Sequence, residues 1–339
     1  MHYSGAAAVL RPYFAGRGAI FCLHQVYPGG GYESGFAPNA RLAITPEFLS
    51  DIISLVKGLG YELLSLEQAA ARLRQGGAWG RPFAVFTLDD GYKDNLVHAL
   101  PVFRRHKCPF TVFVATRMAD GQCEMWWRIL EHMIAGSMSV NVETAGNSYR
   151  LETRNDGQKA VAWDILSPVL RAMPEHQQRD WTLRWGEKSG IDVYALCRAA
   201  LMTWDEIRAL NTDPLASIGA HTLNHFNLLK LDEAEAKQEI EQSKNRIEDE
   251  LGEAVRSFAY PYGNIDAAGP REFRLAAEAG FAVSVTTRHG LVFEGHAQHL
   301  QALPRVMVSG RFQKTRYIET LLSGVPAALM NRFQRVNVA

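Results

Sequence analysis

The chain has 339 residues, with 36 Lys+Arg against 36 Asp+Glu, 11 His and only 4 Cys. A zero net charge argues against a dedicated nucleic-acid binder, which carries a basic excess, so no nucleic-acid partner is expected. At 47% hydrophobic and 21% charged, the composition is that of an ordinary globular protein with ample chain for a large core.

Every apolar run is broken by charge well before the roughly 18 residues of a membrane-crossing helix. Cys22, Cys108, Cys123 and Cys197 are widely spaced without a C-x-x-C, which excludes zinc ribbons and thioredoxin-like redox sites. Scattered thiols suit a reducing compartment. The stretch Met1 to Phe14 has an Ala-rich run with no basic leader before it and Arg11 after it, a poor secretory signal. A cytoplasmic location is the expectation.

Along the chain, Ala19–Val26 reads as a first strand. Thr45 then caps a helix with Pro46 at its first position, Phe48, Ile52 and Val56 on one face, and Gly60 as its stop. Phe83–Leu88 is a second strand. A helical pattern from Asp94 to Lys107 carries Leu96, Leu100 and Phe103, with Pro101 forcing a kink or restart. Phe110–Ala115 is the next strand.

From Arg117 to Leu201 the rhythm breaks. Trp126, Trp127, a helical Ile129–Ile134, a hairpin around Gly146 and a helix near Val161–Met173 read as an insertion that packs on, or rims, the main fold. Its aromatics are read as core filling before a ligand platform. A charged helix with an inner stripe of Ile240, Ile247 and Leu251 follows over Asp232–Leu251, then strands at Phe258–Tyr262, Phe281–Thr287 and Leu303–Val308.

Strands alternating with helices predict an α/β fold built on a parallel sheet or barrel, with its chemistry at the C-terminal strand ends. The whole chain, 1–339, is read as one barrel carrying the insertion at 117–201. The tail Arg311–Ala339 holds five basic residues and one acid. It reads as a terminal helix with a solvated basic face, and its charge with Tyr317, Leu321, Leu322, Leu329 and Phe333 would also suit weak peripheral contact with an anionic membrane. Pro326 interrupts any long amphipathic helix there.

Three constellations carry chemistry. Asp89-Asp90-Gly91 closes the Phe83–Leu88 run, and two carboxylates at a strand end are costly without a positive charge nearby. Strand neighbours face opposite sides, so one Asp can ligate a cation while the other acts as a base; the plainer alternative is a helix cap. His221 and His225, at i and i+4, would fall on one face of a helical turn and could share a metal. Two imidazoles and one carboxylate suit Zn2+ and its first-row neighbours in an open, catalytic site. Tyr260-Pro261-Tyr262-Gly263 is a turn at a strand end that could offer backbone N–H groups to an oxyanion, and is otherwise only a turn. Walker A, H-E-x-x-H, G-x-S-x-G and dinucleotide fingerprints are absent.

In this order, the segments resemble the polysaccharide deacetylases of carbohydrate esterase family 4, including the chitooligosaccharide and poly-N-acetylglucosamine deacetylases. Thr87-Leu88-Asp89-Asp90-Gly91 is similar to the family's T-F-D-D-G, and His221-Thr222-Leu223-Asn224-His225 matches its H-[ST]-x-x-H. The resemblance spans about Ala19 to Val308, the insertion set aside. It implies a distorted (β/α) barrel of fewer than eight strands. It also implies Asp90, His221 and His225 as metal ligands, Asp89 as base and the Tyr262 N–H as oxyanion donor.

The implied reaction is hydrolysis of an N-acetyl group on an amino sugar of a glycan, releasing acetate. Zn2+ would be the first choice of metal, with Co2+, Ni2+ or Mn2+ as alternatives. Tyr92, Tyr260, Pro261, Arg305 and His24 are candidates for the substrate side of the site. Three departures stand out: Ala259 occupies the place of the Arg that usually steadies the base, the Asp-x-x-Asp-Trp pattern is missing, and Leu303-Pro304-Arg305-Val306 lacks the usual acid His. His289 becomes the candidate acid and Arg305 an orienting charge, since a guanidinium keeps its proton. Hydrolysis of a formamido group or cyclic ureide, a non-catalytic glycan-binding relative and a purely structural metal site are the competing readings.

Overall fold

In the computed structural model, residues 13–29, 35–77, 80–144 and 146–338 are described. Most of the N-terminal stretch read above for a leader lies outside them. Seven parallel strands close into a barrel: β1 (Gly18–Leu23), β2 (Phe83–Leu88), β3 (Phe110–Val114), β4 (Ala216–Ala220), β5 (Ser257–Ala259), β6 (Val283–His289) and β7 (Leu303–Met307). Each pairs with the next in sequence. β7 returns to β1, which also pairs with β2 from Gly18↔Phe83 to Leu23↔Leu88, so no edge of the ring is left open. A two-residue strand, Glu62–Leu63, joins the start of β2 from outside the ring. The expected distorted (β/α) barrel of fewer than eight strands is what the chain forms.

Sequence patterns set the elements locally. Thr45 Oγ1 accepts from the Phe48 N–H, Pro46 opens the helix Pro46–Gly58, and Phe48, Ile52 and Val56 are buried. Asp232 caps the helix Glu233–Leu251, whose Ile240 and Ile247 face the core. Pro101 does restart its helix. Asn95–Ala99 forms a wide π turn and a regular helix follows from Leu100 to His106, because proline has no N–H for the preceding turn.

Two expected strands come out shorter. β1 stops at Leu23, and Gln25–Val26 pairs separately with Ala43–Ile44. β5 ends at Ala259, leaving Tyr260-Pro261-Tyr262 as a loop, since Pro261 has no N–H to give a ladder. β4, which the pattern did not single out, is a short apolar-to-small run with Thr111 Oγ1 and Ser217 Oγ hydrogen-bonded across β3 and β4 at 2.8 Å.

The stretch 117–201 lies wholly in the β3-to-β4 connection. Helices Trp126–Ala135, Asp156–Ala172, Glu175–Lys188 and Val193–Ala200 and the hairpin Ser139–Thr144/Asn147–Glu152 surround a second apolar core of Trp126, Leu130, Trp163, Leu166 and Trp181. Because it leaves from the C-terminal end of β3, it stands over the barrel mouth. A bridge between Tyr92 and Leu201 and the Met202 N–H to Gly91 O bond (3.0 Å) pin its end to the loop after β2.

The basic tail forms two short helices, Thr315–Leu322 and Val325–Met330, with Pro326 opening the second. No helix among the described residues is long and apolar enough to cross a membrane. The four cysteines are buried and free.

Candidate active site

The loops after β2, β4 and β5 bring the three constellations together. Asp90 Oδ1 lies 3.5 Å from His221 Nε2 and 3.2 Å from His225 Nε2, all three side chains buried. One ligand atom from each sits within 4.8 Å of the others, a spacing that could hold a metal ion. The His221 Nδ1–H donates to the Ala259 carbonyl at 2.7 Å, since a carbonyl can only accept, and that tautomer leaves the Nε2 lone pair facing Asp90. Burial lowers the pKa of His225 against the pull of Asp90, keeping a neutral ring of the kind that ligates cations. Burial would raise Asp90, but the neighbouring imidazoles of His221 and His225 carry its carboxyl well below the ordinary range.

The two histidines do not share a helical turn. Residues 221–227 form a loop, and Thr222 (φ 65°) and His225 (φ 59°) take left-handed backbone that folds His225 back beside His221. The loop is clamped from both sides. Buried Glu239 takes the Asn224 N–H at 2.8 Å, and Arg179, from the insertion, donates to Glu124 O at 2.7 Å and also to Asn224 O. Asp90 (φ 73°) and Tyr262 (φ 61°) are left-handed too, so four of the seven such non-glycine residues among those described lie here. Each costs of order 1 kcal/mol, strain that concentrates at functional sites.

Asp89 turns the other way, as strand alternation predicted. Arg305 of β7 grips it with two 2.7 Å bonds, Nη1 to Oδ1 and Nη2 to Oδ2. Arg305 also donates from Nη1 to Thr87 Oγ1 (3.1 Å) and from Nε to the Thr286 carbonyl (2.8 Å). Thr87 in turn donates to Phe21 O at 2.7 Å, and Cys22 Sγ stands 3.4 Å from Asp89 Oδ2. Burial raises Asp89, yet Arg305 outweighs it and the carboxyl stays below its usual range.

The other expected residues separate. Arg305 is fully buried on Asp89, so it orients that carboxylate and has no surface to offer a substrate. Tyr260 is fully buried with its hydroxyl donating to Gln301 O at 2.9 Å, away from the mouth; Pro261 beside it is buried as well. Tyr92 is buried against Trp127 and lines a cleft of ≈ 180 Å³ with Gln25, Tyr27, Asn39, Arg128 and Glu131. A register shift between Val285 and His289 pairs His289 with Arg305 in the β6–β7 ladder, and its carbonyl accepts from Asn331 Nδ2. No hydrogen bond or ion pair joins it to Asp89, Asp90, His221 or His225 among the described residues.

His24, just beyond β1, lowers the pKa of both Asp89 and Asp90 and so stands within their field. Its carbonyl is held by Asn95 Nδ2 at 2.8 Å. Tyr262 packs its ring 5.2 Å from that of His225, and its hydroxyl accepts from Trp126 Nε1 at 3.0 Å. Its N–H meets no protein acceptor among the described residues.

Sequence reasoning did not assign Thr87, Cys22, Glu239, Arg179 or Trp127 to this site. Trp127 lies 5.4 Å from the His225 ring. Only Thr87, inside the D-D-G motif, carried a signal.

A seven-stranded (β/α) barrel with a buried Asp-His-His cluster and an Arg-paired carboxylate at its mouth defines a hydrolase-type centre. The polysaccharide deacetylase family model matches residues 77–180 and 182–283, and the chain belongs to that family, a class of metalloenzymes acting on glycans. No curated protein matches the chain in sequence. Among solved structures, the Streptococcus pyogenes deacetylase PplD in complex with acetate is 17% identical with a TM-score of 0.57, covering 89% of this chain and 97% of that one. The de-N-acetylase from Aggregatibacter actinomycetemcomitans is 14% identical at 0.56 (89% and 99%), and IcaB from Ammonifex degensii is 18% identical at 0.55 (91% and 97%). These likenesses establish the shared fold.

Proposed function

We propose that this deacetylase hydrolyses the N-acetyl group of an N-acetylated amino sugar within an oligo- or polysaccharide, releasing acetate, and depends on a divalent metal. The observation that carries the reading is the buried Asp90–His221–His225 cluster beside an Arg-paired Asp89. Asp90, His221 and His225 would hold the cation, and an N2O donor set with neutral imidazoles suits Zn2+ first. When bound, such an ion polarises an amide carbonyl and makes water more acidic.

The chain's own residues do the rest. Asp89, kept ionised by Arg305, accepts the proton of the attacking water at its carboxylate. The Tyr262 N–H, without a protein acceptor, donates to the oxyanion of the tetrahedral carbon. His24, at the mouth beyond β1, acts electrostatically on both carboxylates and lies on the substrate side of the site.

Acetate release from N-acetylglucosamine oligomers by Zn2+-loaded protein tests this. Release that is abolished in Asp89→Asn with metal still bound is expected. Metal-loaded protein that frees no acetate from any N-acetylated oligomer or polymer would show the substrate class to be wrong.

A further inference from the structure

The cleft of ≈ 180 Å³ lined by Tyr92 lies at the seam between the barrel and the insertion. Gln25 and Tyr27 come to it from the chain just beyond β1, and Ala37, Asn39 and Ala40 from the turn that ends at Leu42. Trp127, Arg128 and Glu131 come from the insertion helix Trp126–Ala135. Two of its residues also belong to the surroundings of the Asp90–His221–His225 cluster. The Trp127 ring is 5.4 Å from that of His225, and Tyr92 follows Asp90 by two residues and feels its charge.

The walls are fastened to one another. Asn39 Nδ2 donates to Trp127 O at 3.0 Å and to Glu131 Oε2 at 2.9 Å, which ties the turn to the insertion helix. Gly310, beyond β7, packs so closely on the same turn that a Cβ there would lie 2.5 Å from Ala40 O. Three separate parts of the chain thus hold a preformed cleft, as small-molecule sites require.

Its polar groups are not all used. Asn39 is only 9% exposed, and with its Nδ2 bonds made, its Oδ1 has no partner among the described residues. Arg128 Nε is also buried and unpartnered there. One of these atoms accepts and the other donates, and each costs about 1–3 kcal/mol while unpaired, so the cleft favours a ligand that does both. Hydroxyl groups do both.

Charge and size narrow the ligand further. Arg128 and Glu131 cancel within the lining, so the cleft has no excess charge to draw an ion. The amides of Gln25 and Asn39 and the planar ends of Arg128 and Glu131 each present two atoms, a spacing suited to neighbouring hydroxyls, while Trp127, Tyr27 and Tyr92 add ring surface for C–H groups. The volume falls below the ~300 Å³ at which clefts begin to take drug-sized molecules, and so suits a single ring.

We propose that this cleft is a sugar subsite that takes one neutral pyranose ring of the glycan, the ring linked to the acetamido sugar at the metal cluster. The insertion thereby makes a monosaccharide a poor substrate and an oligosaccharide a good one. The subsite rests on the deacetylase reading above for which sugar is cleaved, whereas binding of a ring in the cleft does not use that chemistry.

The first arm of the test measures binding to chelator-treated protein by calorimetry, with N-acetylglucosamine and its trimer as probes. Two variants of different kind are compared with wild type, their folding checked by thermal melting: Ala37→Leu, which fills the cleft, and Arg128→Met, which removes the unpaired donor. Wild type should bind the trimer at least tenfold more tightly than the monomer, and both variants should lose most of that difference. Equal binding of monomer and trimer by wild type, or equal trimer binding by wild type and both variants, overturns the subsite. A trimer bearing one uronic acid that binds more tightly than the neutral one, through Arg128, would overturn the choice of a neutral ring.

The second arm follows acetate release by Zn2+-loaded protein. The ratio of kcat/KM for trimer over monomer should fall at least tenfold in each variant, with the change in KM. An unchanged ratio overturns the proposal. Absence of any deacetylation by wild type would count against the catalytic reading alone, since the binding arm does not depend on it.

Discussion

Arg305 and Asp89, 216 residues apart in sequence, form a fully buried two-bond ion pair across the barrel interior, Nη1 to Oδ1 and Nη2 to Oδ2 at 2.7 Å each. It supplies from the last strand the positive charge that Ala259 does not bring to β5. A guanidinium reaching from β7 finds the same carboxylate because β7 pairs with β1 and β1 with β2. Position in the ring, not position in the motif, decides which residue can hold Asp89.

Breaking that pair should be costly. Arg305→Gln leaves a buried carboxylate without its partner, and we expect a loss of about 3–5 kcal/mol in urea unfolding together with at least ~100-fold loss of deacetylation. Asp89→Asn added to Arg305→Gln should recover a good part of the stability and none of the activity. If the double variant is no more stable than Arg305→Gln, the pair is not what the single variant lost.

Metal binding should depend on the loop as a unit. His221→Ala and His225→Ala should each leave purified protein with little bound zinc by elemental analysis. Chelation should lower the wild-type Tm by several degrees, since an ion present at ~1,000 times its Kd contributes about 4 kcal/mol. Equal zinc content in wild type and both variants would place the ion elsewhere.

Tyr262 needs Gly263. That glycine has φ 59°, and a Cβ there would stand 2.7 Å from the Thr287 N. Thr287 N–H donates to Gly263 O at 2.9 Å and the Thr287 hydroxyl donates to Tyr262 O, so the turn is fastened to β6. Gly263→Ala should therefore cost about 1–3 kcal/mol and lower kcat more than it raises KM. An unchanged kcat would remove the Tyr262 N–H from the reaction.

Asp94 gives a pH signature. Burial raises its carboxyl to about 6, against the bonds it accepts from Val26 N–H, Gln25 and Asn95. A raised acid binds its proton more tightly in the folded state, so its contribution is fully present below pH ~4 and is lost as pH rises through about 6. The difference in stability between wild type and Asp94→Asn should shift by up to about 3 kcal/mol across that window, read from urea midpoints at pH 4 and pH 7. A constant difference would mean that Asp94 does not titrate there.

The thiols should be silent in the native state. Burial pushes Cys22 well above the ordinary thiol range and Cys123 up to about 12. Native protein should react with a thiol reagent at least ~100-fold more slowly than unfolded protein, because both access and thiolate are lacking. Rapid labelling of Cys22 would show that the Asp89 pocket opens.

Much of this protein is legible in its residues. Alternating apolar runs and capped helices determine a parallel β–α chain, since Thr45, Pro46 and Asp232 act on their own backbone within one turn. The D-D-G and H-T-x-x-H segments mark the residues that cluster as Asp90, His221 and His225 because a strand end and the few residues after it are fixed locally. The left-handed turns at Asp90, Thr222 and His225 were not legible, and a helical spacing was expected where a clamped loop formed. The turns at Thr222 and His225 are held from outside, by Glu239 on one side of Asn224 and Arg179 on the other.

Long-range closure was equally hidden. Only the ring of seven strands brings Arg305 to Asp89. Sequence determined which groups could do chemistry. Tertiary structure decided which of them meet, because strand register and the loops packed over the mouth place side chains whose separation along the chain says nothing of their distance.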